Sequence, residues 1–233
     1  MEKQELQVVY EDNHIMVIIK PQGVLSQGDQ TGDASVVDIA KDYLKAKYEK
    51  PGNVYLGMVH RLDRQTGGLM VLGKTSKATE RLTEQMQNDV IEKKYLTVTV
   101  GELKEPNATL THYLVKDEAK NEVKVYNYNI FGSKVATLNY NVLQSAGKEN
   151  LVLVKLITGR SHQIRVQLKE AGTPIWGDVK YGKREKEEMA LWAYKLSFIH
   201  PVSKEEMMFV SYPDIEATPW NKFEIKTKNI EYL

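Results

Sequence analysis

What most constrains this chain is a succession of short strand-like runs with little helical pattern between them. Apolar or alternating apolar–polar stretches occupy residues 15–19, 69–72, 95–100, 109–115, 122–128, 134–143, 151–157 and 191–199. A period of two places successive side chains on opposite faces of a sheet, the mark of half-buried strands. Helical periodicity is scarcer. Ser35-Val36-Val37-Asp38 has the form of a capping box, and Val36, Ile39, Ala40, Tyr43 and Leu44 then share one apolar face. Ser76 is placed to cap a second helix, in which Ala78, Leu82 and Met86 stack at four-residue spacing. Ser161 is placed to cap a third, ending near Gly172. Strands interrupted by a few helices, without regular β-α-β alternation, predict an α+β fold with a largely antiparallel sheet and exclude a doubly wound parallel one.

A chain of 233 residues is long enough to bury a substantial core, and is read as a single domain over residues 1–233. It contains no cysteine, which excludes disulfides and thiolate zinc sites. The first residues carry no apolar signal core and no stretch reaches the length of a membrane span, so a cytoplasmic protein is expected. The net charge of +1 gives the whole molecule no attraction for polyanions, but the local distribution does. Arg160, Arg165, Lys169, Lys180, Lys183 and Arg184 stand against Glu170 and Asp178, and Arg61, Arg64, Lys74, Lys77, Lys93 and Lys94 add to them. Gathered by folding, these residues would make a basic cleft on a balanced surface.

Chemistry concentrates in His60-Arg61-Leu62-Asp63-Arg64-Gln65-Thr66-Gly67-Gly68-Leu69. One carboxylate, Asp63, lies between two arginines and just before a Thr-Gly-Gly turn that leads into an apolar strand. A neighbouring guanidinium favours an ionised carboxylate, and glycines let another backbone or a ligand come close. In isolation such an acid is most often a structural ion pair. Here it is accompanied by further dense blocks. Glu11-Asp12-Asn13-His14-Ile15 runs on to Lys20-Pro21-Gln22-Gly23, followed later by Ile91-Glu92-Lys93-Lys94-Tyr95. Then come Thr158-Gly159-Arg160-Ser161-His162-Gln163-Ile164-Arg165-Val166, Gly177-Asp178 with Tyr181-Gly182, and Leu191 through His200-Pro201.

In this order the blocks closely resemble the RluA-type RNA pseudouridine synthases over roughly residues 10–215. The resemblance implies a mixed sheet divided by a central catalytic cleft, with a few flanking helices. It also implies conversion of uridine in RNA to pseudouridine, without cofactor or metal. Asp63 would be the essential carboxylate, acting either as nucleophile at ribose C1′ or as base at the adjacent sugar carbon. Arg165 would pair with Asp63 through a planar fork. Ile164 and Leu168 are expected to pack in the core while Arg165, about 100° further round the helix, reaches the cleft. Tyr95 would contact the target base, and Arg61 would fill the gap left by a flipped nucleotide. Arg64, Arg160, His162 and Lys180 are further candidate contacts to substrate RNA, either ribosomal or transfer RNA. The first motif begins at Glu11, so no extra RNA-binding domain is expected before it.

Competing chemistries are poorly served. No two of the five histidines have a short ligand spacing, which argues against a metal. The His-Arg-Leu-Asp order breaks the kinase catalytic-loop spacing, and neither a Gly-rich phosphate loop nor a Gly-x-Ser-x-Gly elbow is present. A non-catalytic RNA-binding protein on the same fold is the remaining alternative. Gly67, Thr97 and Gln167 depart from the residues usual in the family, and are read as positions that alter loop geometry or the choice of RNA.

Overall fold

The computed structural model describes residues 6–182 and 188–225. In chain order these form β1 (Gln7–Glu11), β2 (Ile15–Lys20), α1 (Val36–Lys47), β3 (Gly57–Met58), β4 (Gly67–Gly73), α2 (Ser76–Gln87), β5 (Glu92–Val100), β6 (Asn107–Asp117), β7 (Glu122–Tyr126), β8 (Lys134–Ala146), β9 (Glu149–Leu156), α3 (Gln163–Glu170), β10 (Leu191–Ile199) and β11 (Glu206–Val210). A 3-10 turn, Trp220–Lys222, follows. The described residues thus carry eleven strands and three α-helices, the α+β class that the periodicity predicts. They fall into two compact units. One comprises the residues to Glu92 with Ala193–Ser211, the other Lys93–Trp192 with the residues from Tyr212.

In the first unit β1 pairs with β2, β2 and β3 pair with β4, and β10 pairs with β11, all antiparallel. Every residue of β4 is buried. On one of its faces Leu69 and Val71 join Ile15, Val17, Leu196 and Phe198 in a core that Ala78 and Leu82 of α2 cover. Each of the Val, Leu, Ile and Phe side chains contributes about 1.5–3 kcal/mol on removal from water. Gly68, at φ 114°, is where the Thr-Gly-Gly turn requires a glycine. A Cβ there would lie 2.4 Å from the Ala193 carbonyl oxygen and 2.6 Å from its nitrogen.

Helix α1 begins as the sequence predicts, with Ser35 accepting from the Asp38 amide and the Asp38 carboxylate accepting from the Ser35 amide. Helix α2 starts one position earlier than the Ser76 cap implies, since Thr75 is the capping residue. Short β1, β3 and β11 have no clear period in the sequence and come from pairing with longer neighbours.

In the second unit the strand order is β5-β9-β8-β6-β7, antiparallel throughout, with β7 at the edge. Helix α3 lies on one face, where Val166 packs with Leu114, Val123 and Ala136. One expectation about α3 is corrected. Its N-cap is His162, not Ser161; His162 is left-handed at φ 52° and makes no side-chain cap. The Gln163 side chain ties the turn instead, accepting from the Arg160 amide and the Thr158 hydroxyl, both at 2.9 Å. Gln163 through Leu168, Arg165 included, are all buried.

Candidate active site

Asp63 sits on a turn that the first unit builds from two loops. The Leu62–Thr66 stretch is closed by the Thr66 amide donating to the Asp63 carbonyl at 2.9 Å. Residues 21–26 hold it from the side. Ser26 Oγ donates to the Leu62 carbonyl and accepts from the Leu62 amide, at 2.7 and 3.0 Å. The Gly23 amide donates to the Arg64 carbonyl, Arg64 Nε returns a bond to the Gly23 carbonyl, and Gln22 donates to the Gln65 carbonyl. The backbone of this turn is thus fixed by bonds from both loops, which sets where the Asp63 side chain leaves it.

Beneath this turn is a residue that the sequence reading passed over. Lys20 ends the apolar run of β2 and is fully buried. Its ammonium donates to the carbonyls of Pro21, Val24 and Arg64 at 2.8, 2.7 and 3.2 Å, so one cation fastens both loops. Burial pushes its pKa down to about 7, with the Asp63 charge opposing that and the Arg64 charge adding to it. The available signal was a lone Lys-Pro closing a five-residue apolar strand. Arg64 is half occupied elsewhere, pairing with the exposed Asp33 at 2.9 Å. Arg61 is exposed.

The second unit holds Arg165, His162, Lys180, Arg160 and Tyr95. Arg165 is gripped by Asp178, its Nε and Nη2 each donating to one carboxylate oxygen at 2.8 Å. Asp178 is 1% exposed and also accepts from the amides of Lys180 and Tyr181. Burial works to raise the Asp178 pKa, but Arg165 and the two amides outweigh it and hold the carboxyl below its usual range. The Arg165 guanidinium also lies over the Tyr181 ring, 5.0 Å from its centroid. The Tyr181 hydroxyl accepts from the Val123 amide at 2.9 Å and lies 2.6 Å from His162 Nδ1. Asp178, Arg165, Tyr181 and His162 therefore form one connected network between α3 and the start of β7, with Asp178 and Arg165 buried and Tyr181 and His162 half-buried. The sequence signal for the two missed members was Gly177-Asp178 followed by Tyr181-Gly182, which the charge count treated only as background.

The other candidates are placed less centrally. Lys180 is exposed, and its ammonium donates to the carbonyls of Lys120 and Asn121, fastening the β6–β7 turn. Arg160 Nε donates to the Val135 carbonyl where β9 has ended. Tyr95 is a buried strand residue opposite Val154. Lys183 and Arg184, counted in the basic cluster, lie outside the described residues. Thr97 and Gln167 are both fully buried, Thr97 donating to the Ala190 carbonyl and Gln167 to those of Leu110 and Ala136. Gly67 is the buried first residue of β4. Among the described residues no group of three or more His, Asp or Glu side chains is arranged to hold a metal, and no helix is long and apolar enough to cross a membrane.

Comparison with known proteins bears on the same residues. The family model described as RNA pseudouridylate synthase matches residues 14–170. Two Bacillus subtilis proteins, titled uncharacterized RNA pseudouridine synthases YhcT and YlyB, are each 31% identical to this chain, over 86% and 89% of it. The chain spans 66% and 69% of their lengths, about two thirds. A Rickettsia bellii protein titled ribosomal large subunit pseudouridine synthase C is 35% identical over 75% of this chain and 56% of its own length. The solved structure of human RNA pseudouridylate synthase domain containing 4 superposes with a TM-score of 0.76 at 22% identity, covering 93% of this chain and 90% of that one, and so shares the fold. With a family model matching residues 14–170, Asp63 and Arg165 included, the chain belongs to the RNA pseudouridylate synthase family.

Proposed function

We propose that this protein isomerises particular uridines in RNA to pseudouridine, with Asp63 as the essential carboxylate. The reaction breaks the bond from ribose C1′ to uracil N1 and forms one from C1′ to C5; the C5 proton is released and N1 takes up a proton. Its atoms and electrons balance without a redox partner, nucleotide or metal. The observation that carries the reading is the Asp63 turn, clamped by the Gly23 and Ser26 loop and fastened beneath by Lys20. A carboxylate that attacks a sugar carbon, or removes its proton, gains from being fixed within reach before substrate arrives.

Arg165 is assigned to orient Asp63. Asp178 engages two of the five donors of its guanidinium, which pre-sets the plane of the fork. Tyr95 is assigned to the target base, Arg61 to the space left by the flipped nucleotide, and Arg64, Arg160, His162 and Lys180 to the RNA around it. Relatives titled ribosomal large subunit pseudouridine synthase favour ribosomal RNA as substrate over transfer RNA.

The test is tritium release from RNA labelled at uracil C5, with pseudouridines mapped in cells with and without the gene. Asp63→Asn keeps the shape and removes the charge, so turnover is expected to vanish while RNA affinity stays within several-fold of wild type. Release at the wild-type rate would take Asp63 out of the mechanism. An unchanged map, together with RNA binding and no turnover, would favour a non-catalytic RNA-binding protein.

A further inference from the structure

The outer face of the second unit's sheet differs from the rest of the molecule. Strand registers place Val135, Tyr113 and Tyr126 side by side on β8, β6 and β7. Residues paired in register share a face, and the opposite face of the same strands carries the Leu114, Val123 and Ala136 core under α3. The Val135–Tyr113–Tyr126 row therefore points away from the core. Tyr128 extends it past the end of β7, its ring edge-on to Tyr126 with centroids 6.4 Å apart. Phe131, in the turn to β8, is 104% exposed and Tyr128 is 67% exposed. Large aromatic side chains held this far into water at the end of an ordered sheet mark a contact surface.

The chemistry around the row selects the partner. Three of the four rings are tyrosines, with a flat apolar face and a polar rim. Lys124 stands on the same face of β7, opposite Val115, and Arg160 is fixed beside Val135 by its bond to that carbonyl. Toward the other end the face turns hydrophilic, with Thr111 bonded to Thr137 and Thr109 to Asn139. The acids of this face, Asp117 and Glu122, are paired in register at the hairpin tip, away from Tyr126 and Val135. A protein interface would also use tyrosine and arginine, but it excludes lysine from its centre, where this face sets Lys124 next to the rings. Rings interleaved with cations, continuous with polar groups, suit unpaired nucleobases and their phosphates.

We propose that the Tyr113–Tyr126–Tyr128 face, with Lys124, Arg160 and the exposed Phe131 of the turn that follows Tyr128, binds a single-stranded segment of the substrate RNA by stacking its bases. This rests on the RNA reading above and extends it to a second contact on the same substrate. Arg160 belongs to the Thr158–Arg165 block, so the face borders the motif that carries Arg165.

The experiment titrates the full chain and its Tyr128→Ala/Phe131→Ala double variant against a short fluorescein-labelled single-stranded RNA, and against the same sequence as a duplex. Both positions are exposed, and circular dichroism checks that the fold is kept. Affinity for the single strand is expected to fall about ten- to a hundred-fold, and for the duplex far less. Val202→Ala, an exposed apolar change in the first unit, is expected to bind as wild type. Lys124→Gln supplies an independent reading: the slope of log affinity against log salt is expected to fall by about 1. Unchanged single-strand affinity in the double variant and an unchanged slope in Lys124→Gln would overturn the proposal. So would a shift from dimer to monomer in sedimentation with RNA affinity intact, which would make the face an interface between copies. The two readings separate cleanly, because ring-dependent binding by a protein that releases no tritium would sink the enzyme and leave the surface standing.

Discussion

Removing the Asp178 carboxylate tests how the second unit holds Arg165. In Asp178→Ala the guanidinium loses both 2.8 Å bonds while it stays buried, and the amides of Lys180 and Tyr181 lose their acceptor. Breaking one side of a buried, hydrogen-bonded ion pair costs about 3–5 kcal/mol, because the remaining charge is uncompensated. At about 2–4 °C per kcal/mol for a chain of this size, the melting transition should fall by roughly 6–20 °C. All three tryptophans, Trp176, Trp192 and Trp220, lie in the second unit, so their fluorescence during urea unfolding reads the affected unit directly. Asp178→Asn keeps one oxygen acceptor and is expected to lose less, about 1.5–3 kcal/mol. The double change Arg165→Met/Asp178→Leu removes both charges and should recover most of the stability, yet it should not restore uridine isomerisation. If Asp178→Ala costs under about 1 kcal/mol, the pair is not the internal anchor described here and the argument fails.

Two further outcomes follow from the first unit. Lys20→Met leaves the Pro21, Val24 and Arg64 carbonyls without their donor; relief of the buried charge offsets part of that, and a net loss of about 1–3 kcal/mol is expected. Amide exchange at Gly23 and Thr66 should rise about ten-fold or more, and unchanged protection at both would show that Lys20 does not fasten the turn. Glu11 makes stability depend on acid: burial raises its pKa, but bonds from Lys47, Lys74 and Tyr48 outweigh this and hold it at about 2, against 4.5 ordinarily. The contribution is therefore present above pH 4.5 and lost as pH falls toward 2. Lys47 is 43% exposed, so solvent screening reduces the value to about 1–2 kcal/mol. Glu11→Gln should flatten the fall in urea midpoint over that window, and a curve parallel to wild type would contradict the assignment.

Much of this protein was legible in its residues because the signals are local. The runs at 15–19 and 191–199 became β2 and β10 nearly unchanged, and Ser35 with Asp38 closed the capping box that opens α1. Such features depend on side-chain period and on bonds within one turn, which neighbouring residues alone determine. The motif blocks likewise marked Asp63, Arg165 and His162 and pointed to the family. Tertiary structure decided what those residues lean on. It buried Arg165 and supplied Asp178, 13 positions away, as its partner. It turned Lys20 from the end of a strand into the fastening of the Asp63 turn, and enclosed the polar side chains of Thr97 and Gln167 in the core. It lined up Tyr113, Tyr126 and Val135 from three strands on one open face. A buried charge or an exposed ring has no distinctive local pattern. Its energy comes from the groups that the fold brings to it across long stretches of chain, and from the water that the fold excludes or admits.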